Sequence, residues 1–121
     1  MCLSKITQRK DFPREIKAYK VVLKGGSQDY RTSIFECTIK RGQWVQCDNS
    51  KYVIHVPHCS ILDGSYSAGF HAFLRLEDAK SWCCGNDMIR TCRLRGITAI
   101  GKDGKRDVVV GQCIYFRAAR A

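Results

Sequence analysis

Residues 88–116 read MIRTCRLRGITAIGKDGKRDVVVGQCIYF, and the fold class turns on this stretch. From Met88 to Leu94 apolar and polar side chains alternate with the period of two that marks a strand with one buried face. Cys92 and Leu94 fall on the inward phase, while Arg93 and Arg95 project together on the outward one. Gly96 marks a bulge or bend, because a glycine inside a strand leaves nothing to pack. Lys102-Asp103-Gly104-Lys105 is turn chemistry, and Val108 to Phe116 is the most apolar run of the chain, as a central strand requires.

Upstream, helical spacing is found in Leu76 to Cys84: Leu76, Ala79 and Cys83 share a face with Trp82 beside it, Glu77 and Asp78 occupy the first turn, and Gly85 is a natural stop. Residues 58–69 form a long irregular stretch in which Gly64, Ser65, Ser67 and Gly69 surround Tyr66, and they predict an exposed loop. Tyr19, Val21 and Leu23 alternate along a strand that begins at Ile16 and ends at Gly25-Gly26. Phe35, Cys37 and Ile39 mark another over Ser33 to Lys40, and the Arg41-Gly42 turn predicts that it forms a hairpin with Gln43 to Gln46. Tyr52 to Val56 is a further short strand, stopped by Pro57. The sum is an α+β fold: a mainly antiparallel sheet of five to seven strands with one short helix packed on it. Residues 1–15 read as a basic N-terminal arm, and 16–121 as a single globular domain.

The chain has 121 residues, 45% of them hydrophobic and 26% charged, enough for one core and too balanced for a disordered segment. No run approaches the roughly 20 apolar residues of a membrane-spanning helix, and Met1-Cys2-Leu3-Ser4-Lys5 lacks the apolar segment of a secretion signal. The eight cysteines (Cys2, Cys37, Cys47, Cys59, Cys83, Cys84, Cys92 and Cys113) are therefore expected as thiols, in a cytoplasm or a virion. The net charge of +10 belongs to the two ends. Residues 1–20 carry six Lys/Arg against two acids and residues 88–121 eight against two, whereas the middle balances seven against seven. Such an excess favours an anionic partner, either nucleic acid or an acidic protein surface.

The candidate contacts for that partner are Arg90, Arg93, Arg95, Lys102, Lys105, Arg106 and Arg117, with Tyr115 placed to stack beside them. Tyr66 and His71 are candidate contacts on the loop. His71, framed by Phe70 and Phe73, is also the candidate general base because imidazole titrates near neutrality; in the competing reading, the two phenylalanines anchor it in the core with a hydrogen bond to backbone. Cys47, His55, His58 and Cys59 are the metal-capable residues, although neither cysteine has the close cysteine neighbour of a zinc finger. No cofactor is expected, since Gly25-Gly26 leads into no phosphate-binding helix.

Tyr19-Lys20-Val21, Gly42-Gln43-Trp44 and Gly69-Phe70-His71-Ala72-Phe73 leading into Leu76-Glu77-Asp78-Ala79, followed by the two closing strands, resemble a group of small proteins of bacteriophages and related mobile elements. The resemblance covers most of residues 16–117 and implies a viral or mobile-element setting, but no assigned activity and no catalytic residue. The leading reading is a non-enzymatic basic binding module, an accessory or anti-defence factor. The alternatives are a minor virion or assembly protein that docks on neighbouring subunits or on copies of itself, and a small enzyme acting on nucleotide or nucleic acid through His71.

Overall fold

The computed structural model describes residues 3–24, 29–31, 38–47, 53–55, 65–83, 85 and 87–118. Its strands, in chain order, are β1 (Lys5–Gln8), β2 (Glu15–Lys24), β3 (Asp29–Arg31), β4 (Thr38–Lys40), β5 (Trp44–Gln46), β6 (Val53–His55), β7 (Ser65–Ser67), β8 (Phe70–Phe73), β9 (Met88–Asp103) and β10 (Arg106–Phe116), and one helix, α1 (Leu76–Trp82), lies between β8 and β9. Eight strands form one antiparallel sheet, and β6 and β7 pair separately. The α+β class read from the sequence is the class of the structure.

The stretch 88–116 is a single long hairpin. Asp103 faces Arg106 across a two-residue loop, and Gly104, at φ 64°, supplies the positive dihedral that the first loop position requires. The register then shifts by one: Val110 faces Ala99, but Gly111 faces Ile97, so Thr98 is an extra residue in β9. Gly96, also at φ 64°, lies two residues before it. A bulge sharpens the local twist and exchanges the side-chain phase of the strand that carries it. Leu94 and Ala99, five residues apart, consequently share one side of the ribbon. That side enters one core cluster through Cys92, Leu94, Ile114 and Phe116, and a second through Ala99, Val108 and Val110.

Around this hairpin the pairings close into a ring. β2 lies along β9 from Glu15↔Arg95 to Val22↔Met88, β8 lies along β10 from Val108↔Phe73 to Gly111↔Phe70, and Tyr19↔Phe73 joins β8 to β2. The first cluster draws on all four ring strands. In the second, Leu3, Tyr66 and Ala79 cover Phe73, Val108 and Val110.

The local outcome departs from the sequence reading in several places. Residues 3–8 are docked rather than an arm: β1 pairs with the edge of β9 at Lys5↔Lys102 and Ile6↔Gly101, and Leu3 is buried in the second cluster. β9 outruns β2, so β1 fills the edge left open. Among the described residues the predicted hairpin is not found: β4 pairs with β3 and β5 with β10, whereas residues 33–37 of the predicted strand, with Phe35 and Cys37, lie outside the described residues. Beyond Gly111, where β8 ends, β10 has an open edge, and β5 takes it with Val45 packed into the first cluster. Of the loop predicted over 58–69, Ser65–Ser67 is β7 and Tyr66 is only 5% exposed, whereas residues 58–64 lie outside the described residues. In α1, Ala79 is buried and Trp82 lies 6.0 Å from Phe73, but Leu76 is 41% exposed. Asp78 sets the docking of the helix: its Oδ2 accepts the Asp107 backbone N–H at 3.0 Å and Arg75 Nε at 3.2 Å.

Candidate nucleic-acid interface

In the part of the sheet ordered β2, β9, β10, β5, the inward phase is Ile16 and Ala18, Cys92 and Leu94, Ile114 and Phe116, and Val45, all in the first cluster. The opposite phase is exposed or half-buried here, although it is buried farther along at Val21 and Val109, and the register aligns it strand by strand. Lys17 faces Arg93, Arg93 faces Tyr115, and Tyr115 faces Trp44, which makes one cross-strand row of two cations and two aromatic rings. The adjacent row is Glu15, Arg95, Cys113 and Gln46.

The side chains of the two rows interlock. Trp44 and Tyr115 have ring centroids 5.6 Å apart, and the Arg95 guanidinium lies 4.2 Å from the centre of the Trp44 ring, within cation–π range. Glu15 reaches Arg95 at 2.9 Å and Arg93 at 3.3 Å. One carboxylate thus stands against Lys17, Arg93 and Arg95, and the surface stays cationic. The arginine side chains keep 62% (Arg93) and 40% (Arg95) of their surface accessible.

The seven cations proposed from the sequence do not form one patch. Lys102 lies seven residues beyond Arg95 along β9, roughly 20 Å away at about 3.3 Å per residue. There Lys102 is paired with Asp107 at 3.1 Å, and Arg106 donates to Ser81 Oγ at 2.8 Å. Lys105 is exposed at the loop. Arg90 shares the phase of Cys92 and Leu94, on the opposite side of β9 from Arg93, and donates to Tyr30 Oη at 3.1 Å. Arg117, exposed two residues beyond Tyr115, accepts Arg41 Nε at its carbonyl at 3.1 Å.

His71 is a core histidine. It is 6% exposed, its Nδ1 donates to Gly69 O at 3.2 Å, and its Nε2 accepts the Tyr66 hydroxyl at 2.8 Å. Gly69 O can only accept, which assigns the ring proton to Nδ1. Tyr66 Oη in turn accepts the Leu3 N–H at 3.1 Å, so these two residues tie the N-terminal segment to the core instead of contacting a partner. Burial, reinforced by the Lys20 charge, pushes the His71 pKa down to about 3, which leaves the ring neutral. A general base must reach solvent or substrate, and this side chain reaches neither. Of the metal-capable set, Cys47 is buried, with its N–H donating to Gln112 O at 2.7 Å. His55 stands opposite Ser65 in the β6–β7 pair, whereas His58 and Cys59 lie outside the described residues. Among the described residues, no group of three or more His, Cys, Asp or Glu is placed to hold a metal. Cys47, Cys83, Cys92 and Cys113 are free thiols, and no helix of the described residues is long and apolar enough to cross a membrane.

Sequence reasoning found Arg93, Arg95 and Tyr115 but missed Lys17, Trp44 and Glu15. Lys17 had a usable signal, since it alternates in phase with Tyr19. Trp44 had none, because its place depends on β5 choosing β10 over β4. Comparison with protein-family models, with curated proteins and with solved structures finds no match.

Proposed function

We propose that this protein is a non-catalytic module that binds single-stranded nucleic acid on the outward face of β2, β9, β10 and β5. One observation carries the reading: the register aligns Lys17, Arg93, Tyr115 and Trp44 in one row, the two cations exposed and the two rings half-buried, with Arg95 against the indole. Single strands are held by cations that follow the phosphates and by aromatic side chains on which bases stack. An antiparallel sheet face is a flat platform suited to unstacked bases, whereas a duplex hides its base faces. An acidic protein surface would engage the cations but leave Trp44 and Tyr115 without a role.

The setting comes from the resemblance, whose central residues fold as β8 and the start of α1. The protein is read as a bacteriophage or mobile-element accessory or anti-defence factor, acting in the host cytoplasm or carried in the virion.

The test is fluorescence anisotropy with a labelled single-stranded oligonucleotide and with its duplex. The single strand is expected to bind more tightly, with a log–log salt slope of about −2, corresponding to roughly three neutralised phosphates. Absence of binding to any DNA or RNA at low salt would remove the reading. Equal affinity for strand and duplex would reduce it to a charge effect.

A further inference from the structure

A second basic group stands apart from the platform. Tyr30 is buried, packed edge-on against Phe116 with ring centroids 4.9 Å apart, and so is fixed in position. Two guanidinium groups converge on its ring, Arg41 with Cζ 5.0 Å from the centroid and Arg90 with Cζ 5.9 Å away. They come from different elements: Arg41 follows β4, while Arg90 belongs to β9.

Both side chains are held in place. Arg90 donates from Nε to Tyr30 Oη at 3.1 Å, from Nη1 to Ile89 O at 3.0 Å and from Nη2 to Met88 Sδ at 3.3 Å, and Arg41 donates from Nε to Arg117 O. A guanidinium has five N–H donors, so both keep donors to offer. What sets the pair apart is that both guanidinium groups contact one buried ring while neither forms an ion pair among the described residues. Two like charges fixed around one ring, with their conformational entropy already spent, match what a bound oxyanion needs.

We infer that Arg41 and Arg90 form a phosphate-binding site organised by Tyr30. Its ligand is a phosphate group, either the free ion or the monoester of a nucleotide. The site does not depend on the platform, because Arg90 lies on the other side of β9 from Arg93 and Arg95.

Side-chain NMR of the arginine Nε–H groups tests this on the intact protein, with inorganic phosphate in one titration and a nucleoside monophosphate in the other. Saturable shifts of Arg41 and Arg90 on one curve, with Arg75 still and chloride at matched ionic strength inert, are expected in at least one arm, and the arm that responds identifies the source. Arg90→Lys and Arg41→Lys should each weaken binding about tenfold, the loss of a charge-assisted hydrogen bond. Tyr30→Phe keeps the ring but removes the acceptor of Arg90 Nε, and should weaken binding several-fold at nearly unchanged melting temperature. Linear shifts shared by all arginines in both arms, an equal response to chloride, or lysine variants that bind like the parent overturn the site. Strand binding to the platform is a separate measurement, and its outcome leaves this one standing.

Discussion

The two ends of the β9–β10 hairpin carry three cations each, Lys102, Lys105 and Arg106 at the loop and Arg90, Arg93 and Arg95 at the open end, and are opposite in effect. At the loop end, Lys102 is paired with Asp107, Arg106 is bonded to Ser81, and Arg75 bridges Asp78 and Asp107, so the charge is spent on docking α1 and closing the turn. At the open end, Arg93 and Arg95 share the single carboxylate of Glu15 and lie beside Lys17, Trp44 and Tyr115. Cation count does not distinguish these ends. The difference lies in the ratio of acids to bases and in the presence of half-buried aromatic rings beside the cations.

The largest effect expected is on the support beneath the open end. Phe116→Ala removes a fully buried ring packed on Tyr30 and should cost about 3–5 kcal/mol in urea unfolding. A loss near zero would mean that the platform does not depend on the first cluster.

Next comes the seam between the ends, where His71 faces Val110. Its folded pKa, about 3, lies below the ordinary 6.5, so between these values the unfolded chain binds the extra proton. The resulting stability is present above about pH 6.5 and lost as pH falls toward 3, at up to about 1.4 kcal/mol per pH unit. Stability against pH for the parent and for His71→Gln should differ in slope over this window, and parallel curves would show that the histidine does not contribute.

A sharper contrast between the ends comes from single substitutions. Trp44→Ala should weaken single-strand binding by about 1–3 kcal/mol, the usual contribution of one stacking side chain, while Lys105→Ala at the loop leaves it unchanged. Comparable losses from both would return the reading to total charge. The smallest effect expected is from Glu15→Gln, which frees Arg93 and Arg95. Strand affinity should rise about two- to fivefold, while stability falls by less than about 1 kcal/mol, the range of exposed ion pairs.

Residues 88–116 were legible because a strand writes its buried face as a period of two, and because Gly96 and Gly104 mark the two places where the backbone departs from it. The same alternation exposed Arg93 and Arg95. Tyr66 misled because its glycine and serine neighbours look like a loop, whereas the hydrogen bond from Leu3 holds it inside; for His71 the core reading, with the flanking phenylalanines and a backbone hydrogen bond, is the one that holds. Leu76 misled because Asp78 and Ala79 set how the short helix docks.

What the amino-acid order determined alone is local: strand phase, turn positions, the helix and the basic ends, all set by neighbours within a few residues. Tertiary structure alone decided which strands became neighbours. Val45 packs against the first cluster because β5 pairs with β10, and that long-range choice set Trp44 beside Tyr115 and Arg95. No local pattern records it, because a strand edge hydrogen-bonds through backbone groups that every non-proline residue shares.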